Sequence, residues 1–76
     1  MNLLFVIDTF IDGGASLANI NVIHEIKNQY PSINCHLFTR QDLSKTTIID
    51  NKIVGDGKKL FKLLSSQKFE VVHWIR

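Results

Sequence analysis

The chain is 76 residues long, about half of an ordinary domain, and nine Lys and Arg against seven Asp and Glu leave a net charge of +2. With 45% hydrophobic and 21% charged residues it is not disordered, and so even a charge balance argues against the clustered basic face of a nucleic-acid binder. One cysteine, Cys35, excludes a disulfide scaffold and a structural zinc site built on several thiolates.

Residues 2–8 (NLLFVID) form a near-continuous apolar run ending in an acid, the pattern of a strand buried on both faces of a parallel sheet. Residues 9–15 (TFIDGGA) are a polar, glycine-bearing turn. From Ser16 the spacing becomes helical: Leu17, Ile20, Ile23 and Ile26 recur every three residues, and Ala18, Val22 and Ile26 every four. Ser16 is the predicted N-cap, and Pro31 the stop, because the residue before proline disfavours helical angles. Residues 34–39 (NCHLFT) read as a second strand, 41–46 as a polar connection, and 47–54 (TIIDNKIV) as a weak third strand interrupted by Asp50 and Asn51. Gly55-Asp56-Gly57 turns into a second helix over residues 58–67. Its predicted buried side is Leu60, Phe61, Leu63 and Leu64, and its wet side Lys58, Lys59, Lys62 and Lys68. Residues 69–76 (FEVVHWIR) are a last strand.

This order predicts an α/β fold, half of a doubly wound, Rossmann-like, mostly parallel sheet with three or four strands and two helices. Right-handed crossovers put the helices on opposite faces if the last strand pairs beside the first. The apolar strand over residues 69–76 has no covering helix after it and leaves one sheet edge open, so residues 1–76 are expected to be one partial domain. The first apolar run, 3–7, is too short for a membrane span or a signal peptide, which makes the cytoplasm the expected location and Cys35 a reduced, buried thiol.

Ligands of doubly wound sheets bind outside the carboxyl ends of the strands, at the switch point. Two places map there. The loop over residues 12–16, with Gly13, Gly14 and Ser16, offers close backbone approach and the free N–H groups of a helix start, suited to phosphate or carboxylate. The competing reading is a glycine turn that only reverses the chain. His73 is expected on the same rim, against the competing reading of a packed histidine. His24, His36 and His73 lie in separate elements without ligand spacing, so neither a metal nor a cofactor is expected. A P-loop fails because Gly57-Lys58 is followed by Lys59, and position 52 is Lys where the first glycine belongs. The dinucleotide fingerprint fails because Leu60 stands in the place of its third glycine. Ser16, Ser65 and Ser66 have no triad context, and Cys35 sits mid-strand, where burial leaves a thiol inert. The lysines of the second helix read either as a peripheral membrane-surface patch or as an ordinary solvated face. Trp74 reads either as a stacking platform for a sugar or base, or as a core or interface residue.

As an ordered series these pieces resemble the amino terminus of family-4 glycosyltransferases of the GT-B fold. NLLFVIDTFIDGGASLANINVIHEI resembles their first strand, Gly-Gly-Ala loop and first helix. NCHLFT and TIIDNKIV are similar to the next two strands, and KKLFKLLSSQKFEVVHWIR to the helix leading into a D-V-V-H strand. The resemblance implies sugar transfer from a nucleotide-sugar donor to a glycan or lipid-linked acceptor, with retained anomeric configuration and usually without metal. It also implies that the amino-terminal domain mainly holds the acceptor, and that a carboxyl-terminal, donor-binding domain is absent from these 76 residues. Alone, the chain is then expected to be inactive. Gly13 and Gly14 match the loop that faces the donor phosphates, and His73 matches the strand histidine. Three positions depart from the family pattern: Ser16 stands for an acid, Glu70 for the aspartate before Val-Val-His, and Ile75 for a second histidine. Two other readings stay open: a non-catalytic α/β module that completes its sheet with a partner chain or itself, and a small nucleotide- or anion-binding module.

Overall fold

The computed structural model describes residues 1–46 and 49–75. Their elements run β1 (Asn2–Phe10), α1 (Gly14–Gln29), β2 (Asn34–Asp42), β3 (Asn51–Val54), α2 (Gly57–Ser66) and β4 (Val71–Trp74). The four strands form one sheet in the order β3-β2-β1-β4, and each described pair is parallel. The chain is therefore α/β, a Rossmann-like half-fold, as its pattern predicts.

β1 is central because its residues are apolar on both sides of the pleat. Leu4, Phe5, Val6 and Ile7 are all buried. Phe5 and Ile7 join Ile20 and Ile23 of α1 and Cys35 and Leu37 of β2 in one core. Leu4 and Val6 join Phe38 in a second core, against which Leu60 and Leu63 of α2 pack together with Ile53, Phe69 and Val72. The two helices thus cover opposite faces, the consequence of β4 pairing beside β1. Alternation would send Phe10 to the α2 side, yet it is fully buried in the α1-side core, under the Lys52 ammonium at 5.4 Å from its ring centre.

Several boundaries differ from the sequence reading. β1 continues to Phe10 and β2 to Asp42, because Thr9 pairs with Gln41 and Phe10 with Asp42, which draws predicted turn residues into the sheet. β3 is confined to four residues; Thr47 and Ile48 of the predicted strand lie outside the described residues. β4 is likewise four residues long, and Arg76 lies outside the described part. α1 begins two residues before Ser16, with Gly13 at its N-cap, so Ser16 is not the cap. Its hydroxyl turns back to the loop instead, accepting from the Ile11 N–H at 3.3 Å and donating to the Thr9 carbonyl at 3.5 Å. Leu17, Ala18 and Val22 stay exposed, since the sheet meets only the narrower stripe of Ile20, Ile23 and Ile26. In α2 no residue is fully buried: Leu60 and Leu63 reach the sheet, whereas Phe61 is 73% exposed and Leu64 is exposed too.

The amino end of the sheet is tied by a polar cluster. The Asp50 carboxylate accepts from the Cys35 N–H at 2.7 Å and pairs with the Lys27 ammonium at 2.9 Å. Buried His36 lies between Asn2 and Asn51, at 3.1 and 3.4 Å, with the Phe69 ring edge-on to it. With the Asn51 amide as donor to Nδ1, the imidazole proton is assigned to Nε2, which donates to Asn2 Oδ1.

Candidate functional site at the carboxyl end of the sheet

β1 leads over one face of the sheet to β2, while β4 arrives over the other face beneath α2. The switch point therefore lies between the carboxyl ends of β1 and β4. Two crevices open there, sharing Ile7, Asp8 and Ile75 as their common wall. On the α1 side, a space of about 320 Å³ is bounded by Thr9, Ile11, Gly13 and Ser16. On the α2 side, a space of about 240 Å³ has Val6, Phe38 and Leu60 as its apolar floor and Arg40, Gly57 and Trp74 at its edge.

Gly13 and Ser16 thus border the crevice that the sequence assigns to them. The glycine pair divides its work. Gly14 has φ +56°, the left-handed region that costs a side-chain-bearing residue about 1–2 kcal/mol. Gly13 is fully extended, and a Cβ added there meets nothing within 4 Å. Ser16 is buried and already engaged with Thr9 and Ile11, so its hydroxyl sets the shape of the loop. Asp12, beside the glycines, accepts from the Ser44 hydroxyl and from the Lys45 N–H, the latter at 3.0 Å. These bonds hold its carboxyl below the usual carboxylate range, with the Ser44 bond the largest cause. The loop is thereby fastened to the β2–β3 connection, which also donates from Leu43 N–H to the Phe10 carbonyl at 2.7 Å.

His73 is placed elsewhere. It pairs with Phe5, midway along β1, and its ring stands edge-on to that of Phe5 at 5.7 Å. It lines a separate groove of about 330 Å³ with Leu3, Val22, Ile26 and Val71. The structure therefore brings Gly13 and Ser16 to one crevice and leaves His73 out of it.

Sequence reading passes over Arg40. Asp8 and Arg40 stand two residues before the ends of the neighbouring parallel strands β1 and β2 and form an ion pair, each about two-thirds exposed. The Arg40 hydrogen bond is the main cause that holds the Asp8 carboxyl below the usual range, so Asp8 is an anion and an acceptor at neutral pH. No pattern in the sequence points to the pair: it follows from the register, in which Ile7 pairs with Thr39 and so sets the next residues, Asp8 and Arg40, beside one another. Trp74, at the end of β4, is 58% exposed and so is not a core residue.

Among the described residues no cluster of three or more His, Cys, Asp or Glu could hold a metal ion, and no helix is long and apolar enough to cross a membrane. No protein-family model, curated protein or solved structure matches the chain.

Proposed function

We propose that this chain is the amino-terminal, Rossmann-like part of a glycosyltransferase that moves a sugar from a nucleotide-sugar donor to a glycan or lipid-linked acceptor, and that it is inactive without a donor-binding half. The ordered resemblance along the sequence supports the reading. The observation that carries it is the crevice at the β1–β4 switch point, where the Gly13–Gly14 loop meets the carboxyl end of β1. In this reading the N–H groups at the start of α1 face charge that develops on the departing nucleotide diphosphate, since a helix amino terminus carries a partial positive charge. Gly14 supplies the left-handed turn at the start of α1, and Ser16 holds the loop in shape by bonding back to Thr9 and Ile11.

The test is to read the coding DNA beyond the Arg76 codon in all three frames. A second Rossmann-like half with acidic and basic residues able to hold a nucleotide sugar is the expected result. Unrelated sequence there overturns the reading and leaves the interaction module, for which the open outer edge of β4 speaks.

A further inference from the structure

We propose that the crevice on the α2 side is a monosaccharide site, with Trp74 as the stacking platform and the Asp8–Arg40 pair as the polar clamp. Trp74 is 58% exposed at the end of an edge strand, an unusual place for the largest apolar ring of the chain. It borders a space whose floor is apolar and whose rim holds one anion and one cation. At about 240 Å³ the space falls below the ~300–1,000 Å³ of sites for drug-sized ligands, and so suits a single ring.

The chemistry of the rim selects among single rings. Asp8 is an ionised carboxylate that only accepts hydrogen bonds, and Arg40 is a guanidinium that only donates them. The pair uses Arg40 Nε, and no described residue accepts from the two terminal NH₂ groups. Each hydroxyl of a vicinal diol both donates and accepts, so neighbouring hydroxyls of a pyranose can satisfy Asp8 and Arg40 together. The opposite, C–H-bearing face of the pyranose then lies on the electron-rich face of the Trp74 indole. A nucleobase edge has fixed donors and acceptors and meets such a mixed pair less generally. The site deepens the transferase reading and rests on it for the choice of a sugar as the ring.

Because Trp74 is the single tryptophan, its emission and its indole N–H resonance report on this site alone. The 76-residue chain is titrated separately with glucose, galactose, mannose, N-acetylglucosamine and uracil. The expected result is a saturable shift of both signals by at least one of the sugars, at millimolar concentration, and none by uracil. Arg40→Ala, at an exposed position, weakens that response about tenfold, the factor that goes with loss of one charge-assisted contact. Trp74→Phe keeps weakened binding, followed through the backbone amides of Asp8 and Arg40. Circular dichroism verifies that both variants stay folded. Silence toward all four sugars, a response to uracil in their place, or sugar binding unchanged in Arg40→Ala overturns the proposal. The coding DNA separates the two readings: binding at Trp74 without a donor-binding half removes the transferase and keeps the sugar site, and the converse removes the site alone.

Discussion

Gly14 shows how a single residue carries a local conformation. It is the one described residue at positive φ, and it sits where the chain leaves β1 and enters α1. Replacing it with alanine forces a Cβ into the left-handed region, and the variant is expected to lose about 1–2 kcal/mol. Gly13→Ala, at an extended residue with open space around its Cβ, is expected to change stability by no more than about 0.5 kcal/mol. Urea midpoints of the two variants check this, and equal losses would show that the loop does not depend on the left-handed turn. The Gly-Gly pair was legible in the sequence, but which glycine is conformationally required was not. That depends on the direction in which α1 leaves the sheet, and on Ser16 binding back to Thr9 and Ile11 rather than capping.

At the scale of elements, α2 is held more lightly than α1. Its contribution to the core is Leu60 and Leu63, and its first turn is closed by Asp56, whose carboxylate accepts from the Lys59 N–H at 3.0 Å. Asp56→Ala is expected to cost about 0.5–2 kcal/mol through loss of this cap, with the amides of α2 exchanging faster with solvent than those of β1 and β2. Phe61→Ser, at a 73% exposed position, is expected to stay within about 0.5 kcal/mol of the parent chain. Hydrogen exchange and denaturant melts check both, and a loss of several kcal/mol on changing Phe61 would put that ring in the core. The helical period of residues 58–67 was legible, but its width was not. Four apolar residues in one stripe subtend a broader arc than the sheet meets, and only Leu60 and Leu63 reach the core of Leu4, Val6 and Phe38.

For the whole molecule, the polar ties between strands make stability depend on acid. Asp50, Asp8, Asp12 and Glu70 all have carboxyls held below their ordinary values. For Asp50 the first cause is the Cys35 N–H bond, for Glu70 the Asn2 N–H bond, and for Asp8 and Asp12 the bonds from Arg40 and Ser44. A carboxyl that is more acidic in the folded chain than in the unfolded one stabilises the fold above the unfolded value, near pH 4, and loses that contribution as pH falls through the folded value. The melting temperature is therefore expected to be level near neutrality and to drop below about pH 4. Asp50→Asn is expected to lower the neutral plateau and flatten the drop, and an unchanged acid profile in this variant would remove Asp50 from the balance.

The sequence by itself determined the class and order of the elements: an unbroken apolar run needs cover on both faces, and two helical stripes separated by short β-branched runs supply it. It also located the glycine loop, because strand-to-helix turns in parallel sheets fall on one rim. Only the tertiary structure decided which side chains share a crevice. Strand register sets Asp8 beside Arg40 and His73 beside the middle of β1, while Trp74, one residue on and paired with Val6, is exposed beside the α2-side crevice. The physical reason is that periodicity assigns a residue to a face, whereas a site also needs its height along the strand. That height is set by pairing between segments distant in sequence.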